Sequence, residues 1–173
     1  MAKALFELNP DLDRAALARQ FAQAKRLQIR DVLTEETARE LRDILHSATP
    51  WGVAMQAGAT GQARGFSATE LREQAGAQAA MELAKATDAA AASGDYAFRS
   101  LRYSLVEAVQ QGWDKGGPFE ILLGHLNAEP FLGLVREVTG VPELCRADGH
   151  ASCYAAQHFL GRHNDSHVAE GWR

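Results

Sequence analysis

Four residues close together in the sequence, His158, His163, Asp165 and His167, have the chemistry of a metal site. They lie in YAAQHFLGRHNDSH, residues 154–167, which carries three histidines and one aspartate. In an extended backbone, side chains two residues apart project from the same face. His163 and Asp165 have that spacing, so imidazole and carboxylate can bind one ion as neighbouring ligands. A neutral nitrogen beside a hard oxygen suits Fe(II), Mn(II) or Zn(II) rather than calcium. Two histidines and one carboxylate on one face of Fe(II) leave three positions open for substrate and oxygen. His163 and Asp165 form part of such a set. Arg162 and Asn164 fall on the opposite face and carry no assigned chemistry. A structural zinc site is a different use of the same cluster, with His158, His163, Asp165 and His167 as closed ligands. Strand alternation sets His158 opposite His163, so that arrangement needs a tight loop.

The elements that position these groups are read from the whole chain. Its 173 residues are 46% hydrophobic and 23% charged, enough for one domain with a core. The net charge of −4 gives no basic face for nucleic acid. No run of 18 apolar residues marks a membrane span. The opening MAKALFELNPDLDR lacks the apolar region of a secretory signal. Cys145 and Cys153 read as two small buried residues in a protein of the reducing cytoplasm.

The segment NPDLDRAALARQFAQAK predicts a helix capped by Asn9 or Asp11, with Leu17, Phe21 and Ala24 on one face. RLQIRDVL predicts a short strand. Thr34 then caps a helix whose stripe is Ala38, Leu41, Ile44 and Leu45. PWGVAMQ is strand-like, and AGATGQARG is a loop. Ser67 and Glu70 form a capping box that opens an alanine-rich helix ending at Gly94. YAFRSLRYSLVEAVQQ predicts a strand running into helix. PFEILLGHLN and EPFLGLVREVTG predict two helices, the second with Phe131, Leu134, Val135 and Val138 on its apolar face. ELCRADGHASCYAAQHFLGRH predicts a hairpin turning at ADGH. The fold class is α+β.

The stretch CYAAQHFLGRHND resembles the Tyr…Phe-Leu…His-x-Asp segment of Fe(II)/2-oxoglutarate-dependent oxygenases, most closely the prolyl 4-hydroxylase-like branch. DVLTEETARELRDIL is similar to the early strand-then-helix unit of those proteins. The resemblance implies a double-stranded β-helix, or jelly-roll, core. Residues 1–140 would be mainly helical support, and residues 141–173 the start of the jelly roll. It implies that His163 and Asp165 are the first two iron ligands, that Tyr154 lines the 2-oxoglutarate pocket, and that Phe159 and Leu160 pack the barrel. The implied cofactors are Fe(II), 2-oxoglutarate as co-substrate, and ascorbate. The implied activity is hydroxylation of a C–H bond in a prolyl residue of a protein or peptide, or in a free amino acid. The family's third ligand, a histidine, and the basic residue that holds 2-oxoglutarate come several strands after the motif. Only eight residues follow Asp165. The resemblance therefore implies an oxygenase domain incomplete at its C-terminal end, with little activity in residues 1–173 alone. The glycine-rich loop and the alanine-rich helix are candidates for a lid. The competing reading is a non-catalytic helical module that binds a partner, with the histidine cluster incidental.

Overall fold

The structure is a computed structural model, and it describes residues 6–163. In chain order the elements are α1 (Arg14–Ala24), α2 (Glu35–Ser47), β1 (Gly52–Ala57), β2 (Arg64–Phe66), α3 (Gln74–Ala92), β3 (Ala97–Ser104), α4 (Leu105–Gln111), α5 (Pro118–Leu126), α6 (Glu129–Thr139), β4 (His150–Cys153) and β5 (Phe159–Leu160). The chain is α+β, with one small antiparallel sheet. The described residues divide into two compact units, residues 6–49 with 104–151, and residues 50–103 with 152–163.

The first unit is helical. Its N-terminal cap is Asp13, not Asn9 or Asp11: the Asp13 carboxylate accepts from the Ala16 N–H at 2.9 Å. Asn9 instead accepts from the Asp11 N–H and donates to the Asp31 carbonyl, both at 3.0 Å. α1 packs on α6, where Arg14 and Glu137 pair at 3.3 Å. Leu132, Leu134 and Val138 of α6 are buried, each burial worth about 2 kcal/mol. Phe6 stacks on His125 with centroids 5.9 Å apart and meets Phe131 edge-on at 5.7 Å.

The predicted strand at RLQIRDVL does not form. Leu27 and Ile29 are half-buried between exposed neighbours, so the alternation survives in burial. A strand also needs a partner for its backbone. Here pairing is confined to one bridge, Leu8 to Leu33, and Asp31 takes a left-handed φ of 49°.

The predicted hairpin at ADGH is also overturned. Its backbone groups are engaged elsewhere. The Asn127 side chain donates to the Ala147 carbonyl and accepts from the Ala147 N–H, both at 2.9 Å. Arg136 Nε donates to the Leu144 carbonyl at 2.6 Å, and the Leu105 N–H donates to the Gly149 carbonyl at 3.0 Å. With both polar groups of Ala147 held by Asn127, no turn is free to fold the flanking segments onto each other. Cys145, expected to be buried, is exposed in this stretch.

In the second unit the strand order is β2-β1-β3-β4, and β5 also pairs with β3. β1 pairs antiparallel with β3 from Gly52↔Arg102 to Ala57↔Ala97. That register occupies one edge of β3, so β4 and β5 share the other edge. They are two stretches of one interrupted strand, not the arms of a hairpin. α3 packs on β1, and Met55, Phe66 and Ala80 form the core with Leu71 and Leu83 against them. Small alanine side chains on α3 allow this close approach. The alanine-rich helix is thus part of the core, although Met81 is 62% exposed.

The capping box forms but does not open that helix. The Ser67 N–H donates to Glu70 Oε2 at 2.7 Å, and the Glu70 N–H donates back to Ser67 Oγ at 3.2 Å. It caps a short 3₁₀ turn, Glu70–Arg72, and the extended backbone of Glu73 (φ −83°, ψ 137°) separates this turn from α3. A Cβ at Gly76 would lie 2.1 Å from the Glu70 carbonyl oxygen, so the turn closes onto α3 only over glycine.

The Glu70 carboxyl is held below its usual value, chiefly by the Ser67 backbone N–H and then by the Ser67 hydroxyl. Desolvation opposes this and Arg64 adds a smaller pull downward. A depressed folded value gives stability that is complete above the ordinary glutamate range and lost as pH falls through the folded value. Ser67→Ala is expected to cost about 1 kcal/mol at neutral pH. The gap from wild type should shrink as pH drops below the ordinary glutamate range, as read by urea denaturation at several pH values.

Candidate metal centre

The segment that carries the motif is positioned by β3. Phe98 pairs with Leu160 and Arg99 with Phe159. The Gly161 N–H then donates to the Ala97 carbonyl at 2.9 Å, extending the pairing one residue past β5. Gly161 is required at this place, because a Cβ there would lie 2.8 Å from the Ala97 carbonyl oxygen and 3.3 Å from Tyr96.

Cross-strand partners share a face. Arg99 lies opposite Met55, and Met55 belongs to the core under α3. Phe159 is therefore on the α3 face, where it is half-buried. Leu160 and Phe98 are on the other face. Leu160 is 47% exposed, so of the two residues expected to be core, only Phe159 is even partly so.

His163 is exposed and lies two residues beyond the last paired backbone group. Its ring is 6.2 Å from that of Tyr96, and Tyr96 is 6.2 Å from Phe98. His163 Nδ1 is 3.1 Å from the Gly161 carbonyl oxygen. A carbonyl oxygen only accepts, so this bond requires an N–H at Nδ1. The neutral ring then carries its lone pair on Nε2, the arrangement of a metal-ligating histidine whose other nitrogen donates to a carbonyl.

His158 has the opposite arrangement. Its Nδ1 accepts from the Ala155 N–H at 3.1 Å, and the His158 N–H donates to the Ala155 carbonyl at 3.0 Å. A neutral ring with Nδ1 as acceptor bears its proton on Nε2 and offers no lone pair to an ion. His158 closes a turn and does not suit the zinc set. It also sits in that turn, not on a strand face opposite His163. Asp165 and His167 lie outside the described residues. Tyr154 lies between β4 and β5 and is 54% exposed. Among the described residues no group of three or more His, Cys, Asp or Glu side chains converges to hold a metal ion. No helix among them is long and apolar enough to cross a membrane.

Sequence reasoning missed two contributors. One is Tyr96, the wall against His163. The other is Arg99, whose side chain is 14% exposed and pairs with Asp88 of α3 at 3.1 Å. The signal was present in YAFRSLRYS. Arg99 falls on the same alternation as Ala97 and Tyr103, both almost fully buried. A lone cation at such a position must be paired.

Comparison with family models, with curated proteins and with solved structures returned no match.

Gly161→Ala is expected to break the Gly161–Ala97 hydrogen bond and detach β5. In hydrogen exchange, protection should fall at residues 159–161 and persist through β1. Unchanged protection at Gly161 would show that the close approach to Ala97 does not matter.

Proposed function

We propose that the chain is an Fe(II)- and 2-oxoglutarate-dependent dioxygenase domain of the prolyl 4-hydroxylase-like kind, with His163 and Asp165 as two of the iron ligands. The observation that carries this reading is the orientation of His163. It follows directly on a paired extended segment, and its Nδ1 is directed to a backbone carbonyl, which makes Nε2 the lone-pair nitrogen.

On this reading the interrupted β4–β5 strand begins the jelly roll, and β1 and β3 belong to the support ahead of it. Bound iron with 2-oxoglutarate supplies the oxidising power to hydroxylate a C–H bond. The protein's own residues set the geometry. His163 contributes a neutral nitrogen, held in one tautomer by Gly161. Asp165 contributes the hard oxygen and offsets part of the metal's charge. Tyr96, with its ring 6.2 Å from that of His163, gives the site one aromatic wall. Tyr154 carries a hydroxyl suited to the 2-oxoglutarate pocket. The substrate class is a prolyl residue in a protein or peptide, or a small amino acid, and the compartment is the cytoplasm.

Anaerobic titration of the whole chain with Fe(II) tests the reading. Wild type should bind the ion, and His163→Ala and Asp165→Ala should each weaken binding by at least about tenfold. His158→Ala should weaken binding less than either, because it loosens the turn and removes no ligand. Binding that ignores both His163 and Asp165 would sink the proposal.

A further inference from the structure

We infer that Arg99 is a positioning residue for the metal-binding segment, acting through Gln157 and Phe159 to fix where His163 emerges; this rests on the oxygenase reading. Among the described ion pairs, the Arg99 side chain is the least exposed cation, at 14%. A cation so placed is costly unless it is paired. Arg99 joins three elements. Its Nη2 forms an ion pair with Asp88 Oδ1 of α3 at 3.1 Å and donates to the Gln157 carbonyl at 2.9 Å. The guanidinium carbon lies 5.9 Å from the centroid of the Phe159 ring.

Gln157 is where such a clamp is needed. Its φ of 68° is left-handed, a conformation that a residue with a Cβ holds only when its surroundings impose it. The turn there is closed from within by the paired bonds between Ala155 and His158, and from outside by Arg99. Three groups then fix residues 157–161 in sequence: the carbonyl of Gln157, the ring of Phe159, and the N–H of Gly161 on Ala97. His163 follows two residues later, with Tyr96 beside it. Arg99 acts on His163 indirectly, through Gln157 and Phe159. It keeps the turn from opening, and an open turn would let β5 slide or leave β3.

Three variants of the whole chain test this: Arg99→Met, which keeps most of the apolar stem; Arg99→Lys, which keeps the charge; and Asp88→Asn, at a 59% exposed position. Far-UV circular dichroism reports folding, hydrogen exchange at the Gly161 amide reports the segment, and anaerobic Fe(II) titration reports the site. Arg99→Met is expected to keep its helical signal, to exchange at Gly161 faster than wild type, and to bind Fe(II) about 10- to 100-fold more weakly. Arg99→Lys should restore part of both losses. Asp88→Asn should show the same two changes in smaller measure, and it decides the matter if Arg99→Met does not fold. Wild-type exchange at Gly161 together with wild-type Fe(II) affinity, in Arg99→Met or failing that in Asp88→Asn, overturns the inference. If the wild-type chain binds no Fe(II), the oxygenase reading fails, and exchange at Gly161 alone then decides whether Arg99 holds the segment.

Discussion

Every backbone polar group taken from water needs a partner, and in this protein that constraint bears most heavily on β3. β3 is paired along both edges. β1 meets it over six residues on one side, and β4 and β5 divide the other. α3 covers β1 on one face. Among the described residues, the segment that leads to His163 pairs only with β3. Its direction follows from the register Phe98↔Leu160 and Arg99↔Phe159, and from the added bond between Gly161 and Ala97.

His158 and His163 show how local hydrogen bonding divides residues of the same type. His158 and His163 are five positions apart and are both accessible in some degree. A backbone N–H points at Nδ1 of one, and a backbone carbonyl lies at Nδ1 of the other. The first ring is thereby a turn-closing acceptor. The second keeps a lone pair on its outer nitrogen. Spacing along the chain cannot make this distinction, because it depends on which peptide group folds back onto each ring.

Much of the helical structure was legible in the sequence. Pro118 at the start of α5, Gly140 at φ 70° after α6, and the Ser67–Glu70 box all appear where their chemistry places them. These signals are local: a cap or a left-handed stop needs only its own turn. The failures were non-local. RLQIRDVL has alternating burial but too little pairing for a strand. ADGH has turn residues, but the Asn127 side chain, twenty positions earlier, holds both polar groups of Ala147. Burial of Cys145 and Leu160 was likewise misjudged, since type predicts burial only on average.

The sequence by itself determined the α+β class, most helix boundaries and the presence of a His-x-Asp pair. All of these rest on residue type and short spacing. Tertiary structure alone decided that β4 and β5 are one broken strand along β3, that the alanine-rich helix belongs to the core, and that a half-buried Arg99 meets Asp88 and Gln157. It also decided which nitrogen of His163 faces a carbonyl. The reason is the same in each case. Pairing and burial are set by groups far apart in the chain, and a single sequence records the groups without recording which of them meet.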